Sequence, residues 1–220
     1  MSYKAIRKSV CEANRELEQY GLLFLDEGGA SAIDRERGVV VVRPAGKLHA
    51  TLTPEDMLVV DLAGTLLEGE SIPAPDLVAH LFLYQAFPEI SGIANTYSPH
   101  ATLFAQAGRP IPCLGVVHAR CFKGEIPVTR ALRKPEIERN YEKSLGGVIV
   151  ERFARLNPLE IPGVLVAHHG PFTWGRTVGD AVLKSAALER AAQLAFGTLV
   201  LTPQAQPVPT ALSDKHFSRD

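Results

Sequence analysis

The stretch GVLVAHHGPFTWG, residues 163–175, indicates how the chain folds. Residues 164–168, which are aliphatic up to Ala167, predict a strand, and residues 169–171 predict a turn. Residues 177–196 follow with the Ala- and Leu-rich pattern of a helix, for which Gly197 is the expected C-terminal cap. A strand, a turn and a long helix in succession indicate a domain in which helices pack on a central sheet.

Strand and helix patterns interleave along the rest of the sequence. Strands are predicted at residues 22–25, 38–43, 57–62, 65–67 and 92–97, and helices at 3–20, 76–87, 98–108 and 135–156, the last of which Gly146-Gly147 would divide. No composition break or internal repeat interrupts this pattern. We therefore predict one α/β domain over residues 1–220.

The composition is that of an ordinary globular chain, with 46% hydrophobic and 21% charged residues. Its net charge of −1 gives no positive field that would gather nucleic acid or an anionic membrane surface. The N-terminus lacks the apolar core of a signal peptide, and no stretch reaches the roughly 18 apolar residues of a membrane span. Three cysteines without CxxC spacing favour a reducing compartment. We expect a cytoplasmic protein whose partners are small molecules or its own copies.

Short segments spread over nearly the whole chain carry a family resemblance. They are SAIDRERG (31–38), LYQAFP (83–88), HAT (100–102) with AQAG (105–108), YE (141–142), GVLV (163–166), HGPF (169–172) with WG (174–175), and DKH (214–216). In this order and spacing they are similar to the L-ribulose-5-phosphate 4-epimerase branch of the class II aldolase/epimerase family. The resemblance implies a central, mainly antiparallel sheet flanked by helices. It also implies a homotetramer about a fourfold axis, with active sites between neighbouring subunits.

The resemblance further implies metal chemistry. Members of this family hold a divalent metal, usually zinc, and cleave or re-form a carbon–carbon bond in a sugar phosphate. The metal acts as a Lewis acid that takes up the negative charge of the enediolate.

The segment NTYS, residues 95–98, stands where the family has the metal-binding segment His-Thr-His-Ser. Residues two apart on a strand face the same side, which lets the two family histidines chelate one ion. A carboxamide oxygen is a poor zinc ligand, and a phenol with a pKa of about 10 is not readily ionised at neutral pH. Asn95 and Tyr97 are therefore not expected to replace the lost imidazoles, and His169 is the one family ligand that is retained.

Arg120 stands at the position of the family's catalytic aspartate. A guanidinium with a pKa above about 12 cannot exchange protons usefully near neutrality, so Arg120 would instead bind an anion or pair with a carboxylate of a neighbouring subunit. Glu142 and His216 match family positions linked to the site and are the remaining catalytic candidates. A tyrosine that the family carries beyond its Asp-Lys-His segment has no counterpart before Asp220.

The three phosphate-binding segments of the family are also altered. Gly-Asn-x-Ser, Lys-Pro-Ser-Gly and Ser-Ser-Asp correspond to GGAS (28–31), RPAG (43–46) and APD (74–76). The replacements remove side-chain amides and hydroxyls, although the donor fork of an arginine still suits a phosphate. The candidate substrate-binding residues are Gly28, Gly29, Arg43, Gly46 and Asp76.

These changes together predict a family member that has lost metal-dependent catalysis. In this hypothesis the chain needs no cofactor and keeps its fold as an oligomeric scaffold, a regulatory partner or a binder of a sugar phosphate or other small anion. The alternative is an active metal-dependent sugar-phosphate epimerase or aldolase, with zinc or another divalent metal in a site rebuilt from His169, His168 or Asp76. A third hypothesis is a hetero-oligomer in which an intact paralogue supplies the chemistry.

Overall fold

A seven-stranded sheet forms the centre of the protein in the computed structural model, which describes residues 3–217. The strands are β1 Gly29–Asp34, β2 Val39–Val42, β3 Leu58–Asp61, β4 Leu66–Glu68, β5 Gly92–Asn95, β6 Gly163–Val166 and β7 Gly170–Gly175. They lie in the order β4-β3-β2-β1-β5-β7-β6, and every neighbouring pair is antiparallel. The predicted central, mainly antiparallel sheet is confirmed.

Helices cover both faces of this sheet. They are α1 Lys4–Gln19, α2 Leu77–Ala86, α3 Pro99–Gln106, α4 Val116–Ala119, α5 Lys134–Arg152, α6 Val178–Leu201 and α7 Thr210–Phe217. Helices α1 and α6 pack on one face, α2 and α5 pack on the other, and α3 packs against the C-terminal half of α6. Within the described chain, none of these helices combines the length and apolar character of a membrane span.

The four valines of β2 explain why this segment forms a central strand. Val40 and Val42 pack against the α2 and α5 layer, whereas Val39 and Val41 pack against the α1 and α6 layer. Side chains alternate along a strand, so a strand covered on both faces is apolar at every position. The valine run 39–42 therefore places β2 inside the sandwich.

One predicted strand and one predicted turn are wrong. Residues 22–25 form no strand: the chain turns between Phe24 and Glu27, and Leu25 is 71% exposed with a φ of 55°. The strand of this region is β1, whose small residues at 29–32 gave no β-branched signal. The turn predicted at 169–171 lies earlier, because Gly170 already pairs with Val166 as the first residue of β7.

Two glycine assignments are also wrong. Gly197 does not end its helix, because α6 continues to Leu201 and Leu199 still packs against the apolar cluster beneath α3. Gly146-Gly147 does not divide α5, which instead contains one non-helical residue at Asn140 (φ −154°, ψ 66°). A glycine inside a helix weakens it without necessarily ending it, and tertiary packing sustains both helices here.

Candidate functional site

Asn95, at the end of β5, belongs to a buried chain of polar side chains. Its Oδ1 lies 3.0 Å from Nε2 of His80 on α2, and Nδ1 of His80 lies 2.7 Å from the Ser31 hydroxyl, which in turn lies 3.0 Å from the hydroxyl of Tyr84. Burial lowers the pKa of His80, so the ring is neutral at physiological pH. The Ser31 hydroxyl therefore donates to Nδ1, and the Nε2–H of His80 donates to Asn95. The carboxamide oxygen of Asn95 thus accepts a hydrogen bond from His80.

His169 is held among three aromatic side chains. Its ring stacks on Phe172 with a centroid distance of 5.8 Å, and the ring of Tyr97 meets it edge-on at 5.3 Å. Its Nδ1 shares a hydrogen bond of 3.1 Å with the hydroxyl of Tyr141. Burial lowers the pKa of His169, and the charge of Asp76 partly opposes this effect.

Two backbone irregularities bring these rings together. His168, directly before His169, has a φ of 63° and donates its backbone N–H to the carbonyl of Ala105 at 3.0 Å. Asn140, directly before Tyr141, is the non-helical residue of α5, and its carbonyl accepts a 2.7 Å hydrogen bond from the Ser144 hydroxyl. A positive φ at a residue such as His168 persists where surrounding contacts hold it, and such positions concentrate at functional sites.

Asp76, directly before α2, is the acidic group of this site. Besides His169, its charge acts on Arg43 and Tyr97. Burial raises the pKa of the Tyr97 phenol, and the charges of Asp76 and Glu27 raise it further. Tyr97 is therefore a protonated phenol at neutral pH.

These donors do not fit the zinc ion that the resemblance implies. Within residues 3–217, no group of three or more His, Cys, Asp or Glu side chains is arranged to hold a metal ion. Asp76 and His169 are two suitable ligands, but the Asn95 oxygen belongs to a neutral carboxamide, which zinc does not favour, and the Tyr97 phenol keeps its proton. His168, a further member of the predicted rebuilt site, is exposed. Structural zinc sites usually have four protein ligands and catalytic sites three.

Arg43 lies beneath the glycine turn that corresponds to the family's phosphate site. The side chain is 3% exposed and donates to the carbonyls of Asp26 (2.6 Å), Gly28 (2.8 Å) and Pro44 (3.1 Å). A Cβ atom at Gly29 would lie 2.7 Å from Nε of Arg43. The glycine is therefore required by the close approach of the guanidinium.

The other two candidate glycines have different surroundings. A Cβ atom at Gly28 would lie 2.8 Å from the carbonyl oxygen of Asn95, so the turn packs directly on the end of β5. Gly46 has a φ of 68° with open space around it, as expected for a glycine at a turn. His49, to which the sequence assigns no role, is fully buried and shares a 3.2 Å hydrogen bond with the Gly28 carbonyl.

The structure does not join the three acid–base positions to this cluster. Within residues 3–217, Arg120, Glu142 and His216 make no hydrogen bond or ion pair with Asp76 or His169. Arg120 is exposed at the end of α4. Glu142 follows Tyr141, and its charge adds to the burial that raises the pKa of that phenol. His216 lies on α7, with its Nδ1 buried and without a partner in the described chain.

Sequence reasoning missed His80 as a residue of the site. The available signal was its spacing from Asp76, because residues four apart on a helix share a face. Since α2 begins directly after Asp76, this spacing brings His80 towards the same region of the site. For Tyr141 the sequence offers only the family segment YE (141–142), which does not predict its contact with His169.

Comparisons with known proteins agree with this architecture. The family model "Class II Aldolase and Adducin N-terminal domain" matches residues 8–196. The L-ribulose-5-phosphate 4-epimerase UlaF of Salmonella paratyphi B is 43% identical over 214 residues, which cover 97% of this chain and 94% of that protein.

Solved structures show the same fold. An L-fuculose 1-phosphate aldolase matches with a TM-score of 0.83 at 19% identity, over 98% of this chain and 96% of that one. The L-fuculose 1-phosphate aldolase from Glaciozyma antarctica PI12 matches with a TM-score of 0.78 at 19% identity, over 97% and 80% of the two chains. The family model and the extended identity to the epimerase together establish that the chain belongs to the class II aldolase family.

Proposed function

We propose that this chain is a homologue of L-ribulose-5-phosphate 4-epimerase that has lost metal-dependent catalysis and acts as an oligomeric, ligand-binding member of the family. The observation that carries the proposal is the hydrogen bond between His80 and Asn95. The bond shows that the one side-chain oxygen at position 95, a carboxamide oxygen that zinc does not favour, already serves as a hydrogen-bond acceptor. With Tyr97 protonated, only Asp76 and His169 remain as ligands, and two ligands hold zinc weakly.

The residue at the family's proton-transfer position and the retained framework segments support the same proposal. A metal-stabilised enediolate also needs a group that moves a proton, and the position of the family's catalytic aspartate holds the guanidinium of Arg120, which has no acceptor for a proton. The retained framework supports a role that depends on the fold. Segments such as SAIDRERG (31–38) and HGPF (169–172) lie in the core strands and around His169, where they maintain the architecture.

The proposed assembly is the homotetramer of the family, and the proposed location is the cytoplasm. Apolar side chains on α3 and α6 support an assembly, because Leu103 (47%), Phe196 (45%) and Val200 (66%) are exposed and line one groove. Within the described residues, Cys11, Cys113 and Cys121 form no disulfide. Reduced thiols of this kind suit a reducing compartment.

Restoring the lost ligands tests the proposal. The double variant Asn95→His/Tyr97→His places two imidazoles beside Asp76 and His169, so it should hold about one zinc ion per chain after incubation with zinc and desalting. The wild type should hold almost none under the same conditions. Elemental analysis of both proteins gives the comparison, and circular dichroism confirms that the variant is folded.

The matched control is Asn95→Gln/Tyr97→Phe, which alters the same positions without adding a ligand. It should stay metal-free like the wild type. The proposal is wrong if the wild type retains about one zinc per chain and loses it in His169→Ala, or if the zinc-treated wild type epimerises L-ribulose 5-phosphate.

The second candidate is an active metal-dependent epimerase with a rebuilt site. Its support is the 43% identity to the Salmonella epimerase over 97% of this chain. Asp76 and His169 would then be two of its ligands. The zinc measurement on the wild type separates the two candidates, because only the active enzyme needs a resident metal.

A further inference from the structure

A cavity of about 490 Å³ lies beside α2, on the face of the helix that points away from the hydrogen bond between His80 and Asn95. Val78, Phe82 and Gln85 line this cavity, and their spacing places them on one face of α2. His80 follows Val78 by two residues, which is a rotation of about 200° around a helix axis. The cavity is therefore separate from the buried polar chain at the end of β5.

Hydrogen bonds hold two walls of the cavity in place. The turn between β3 and β4 forms one wall, where Nε2 of Gln85 donates to the Leu62 carbonyl at 2.9 Å. Residues 73–75 form another wall, where the Ala74 N–H donates to the Arg43 carbonyl at 3.2 Å. The cavity is thus already formed in a single chain, as most small-molecule sites are.

The lining of the cavity is mainly apolar. Apart from Gln85 and Lys143, it consists of apolar side chains and one glycine. The apolar body of a ligand would gain free energy here by leaving water, in proportion to the surface that it buries. A sugar would instead bury hydroxyl groups without hydrogen-bond partners, which is costly. The lining therefore favours an apolar molecule over a sugar.

Lys143, on α5, is the charged residue of this lining. It is exposed, and among residues 3–217 its ammonium group forms no ion pair. No Asp or Glu lines the cavity to compete for this group. A phosphate monoester carries about 1.5 to 2 negative charges at neutral pH, whereas a carboxylate carries one. A single lysine in an apolar lining therefore suits a carboxylate better than a phosphate.

We infer that this cavity binds an apolar monocarboxylate, with its hydrocarbon body between α2 and the β3–β4 turn and its carboxylate beside Lys143. The inference goes beyond the proposed function, because it concerns a second site. None of the residues assigned to the metal or to catalysis lines this cavity.

Isothermal titration calorimetry on the full-length wild type at neutral pH tests this inference with two matched probes. They are hydrocinnamate and its neutral amide, hydrocinnamide, which share the same apolar body. We expect the Kd of hydrocinnamate to be lower by about threefold or more, because only the carboxylate pairs with the ammonium group.

Two variants locate the binding site. Lys143→Met removes the charge and keeps a long side chain, so it should weaken hydrocinnamate binding until the two probes have equal Kd values. Val78→Phe places a ring at a cavity position that is 45% exposed, and it should weaken both probes by about tenfold or more. Lys134→Met, at an exposed lysine in the first turn of α5, is the control and should change neither Kd.

Any of three results would overturn the inference. They are the absence of saturable hydrocinnamate binding at millimolar concentration, equal Kd values for the two probes in the wild type, and unchanged hydrocinnamate binding in Lys143→Met. Circular dichroism checks the fold of each variant. If Val78→Phe is folded and still binds both probes as the wild type does, the ligand lies elsewhere and the inference is wrong.

Discussion

Position 95 shows how one side chain changes the chemistry of a site. An imidazole can present a lone pair to zinc and still donate its second N–H, whereas a neutral carboxamide oxygen is a poor zinc ligand. The loss of a metal ligand at this position could be predicted from the sequence alone. The capture of the Asn95 oxygen by His80 could not, because it depends on the distance between α2 and β5.

At the residue scale, the buried histidine His118 makes the stability of the protein depend on pH. It is 4% exposed, its Nε2–H donates to the Gly124 carbonyl at 2.7 Å, and burial lowers its pKa to about 4. The unfolded chain, with a histidine pKa near 6.5, therefore binds more protons between pH 4 and 6.5. The protein loses stability as the pH falls through this window and is unaffected by His118 above it.

His118→Gln removes the titrating ring and keeps a donor for Gly124. We expect the loss of unfolding free energy between pH 7 and pH 5 to be smaller in this variant by about 2 kcal/mol per chain. Urea denaturation at a fixed protein concentration measures the difference. His168→Gln, at an exposed position, is the control, and an unchanged pH dependence in His118→Gln would contradict the prediction.

At the scale of elements, the spacing of apolar residues predicted correctly those helices and strands whose apolar faces pack in the core. The helix predicted at 76–87 is α2 and the valine-rich strand is β2, because one face of the helix and both faces of the strand meet the core. The kink at Asn140 could not be predicted, since a glycine pair a few residues later gives the stronger local signal for a break. That kink places Tyr141 against His169, a contact that the family segment YE (141–142) alone does not predict.

The adjacent glycines of α5 give an element-scale prediction. A Cβ atom at Gly147 would meet nothing within 4 Å, whereas one at Gly146 would lie 2.9 Å from Cβ of Phe82 on α2. Gly147→Ala should therefore stabilise the protein by about 0.5–1 kcal/mol through helix propensity. Gly146→Ala should destabilise it by about 1–3 kcal/mol, because α5 would be pushed away from α2.

Urea denaturation of both variants measures these effects, and each variant serves as the control for the other. Equal changes in the two free energies of unfolding would show that α5 and α2 are not in close contact at Phe82. A destabilised Gly147→Ala would show that α5 is not helical at that position.

At the scale of the whole molecule, the position of the family's catalytic aspartate lies apart from the cluster around His169. Arg120 is exposed on α4 and does not bond to the cluster around His169 within the described residues, as expected if a neighbouring subunit completes the site. The fold class was predictable from the interleaved strands and helices together with the family resemblance. Strand order was not, because β5 lies between β1 and β7 through contacts that no local pattern encodes.

The exposed apolar groove on α3 and α6 is the expected contact surface of the proposed tetramer. Sedimentation equilibrium at micromolar concentration should give about four times the 23.8 kDa of one chain. The double variant Phe196→Glu/Val200→Glu should dissociate the tetramer, because it places charges in the exposed apolar groove that these residues form with Leu103. Leu159→Glu, a similar change at an exposed position after α5, should leave the mass unchanged. A monomeric wild type would exclude a site shared between subunits, and an intact tetramer in the double variant would place the interface on another face.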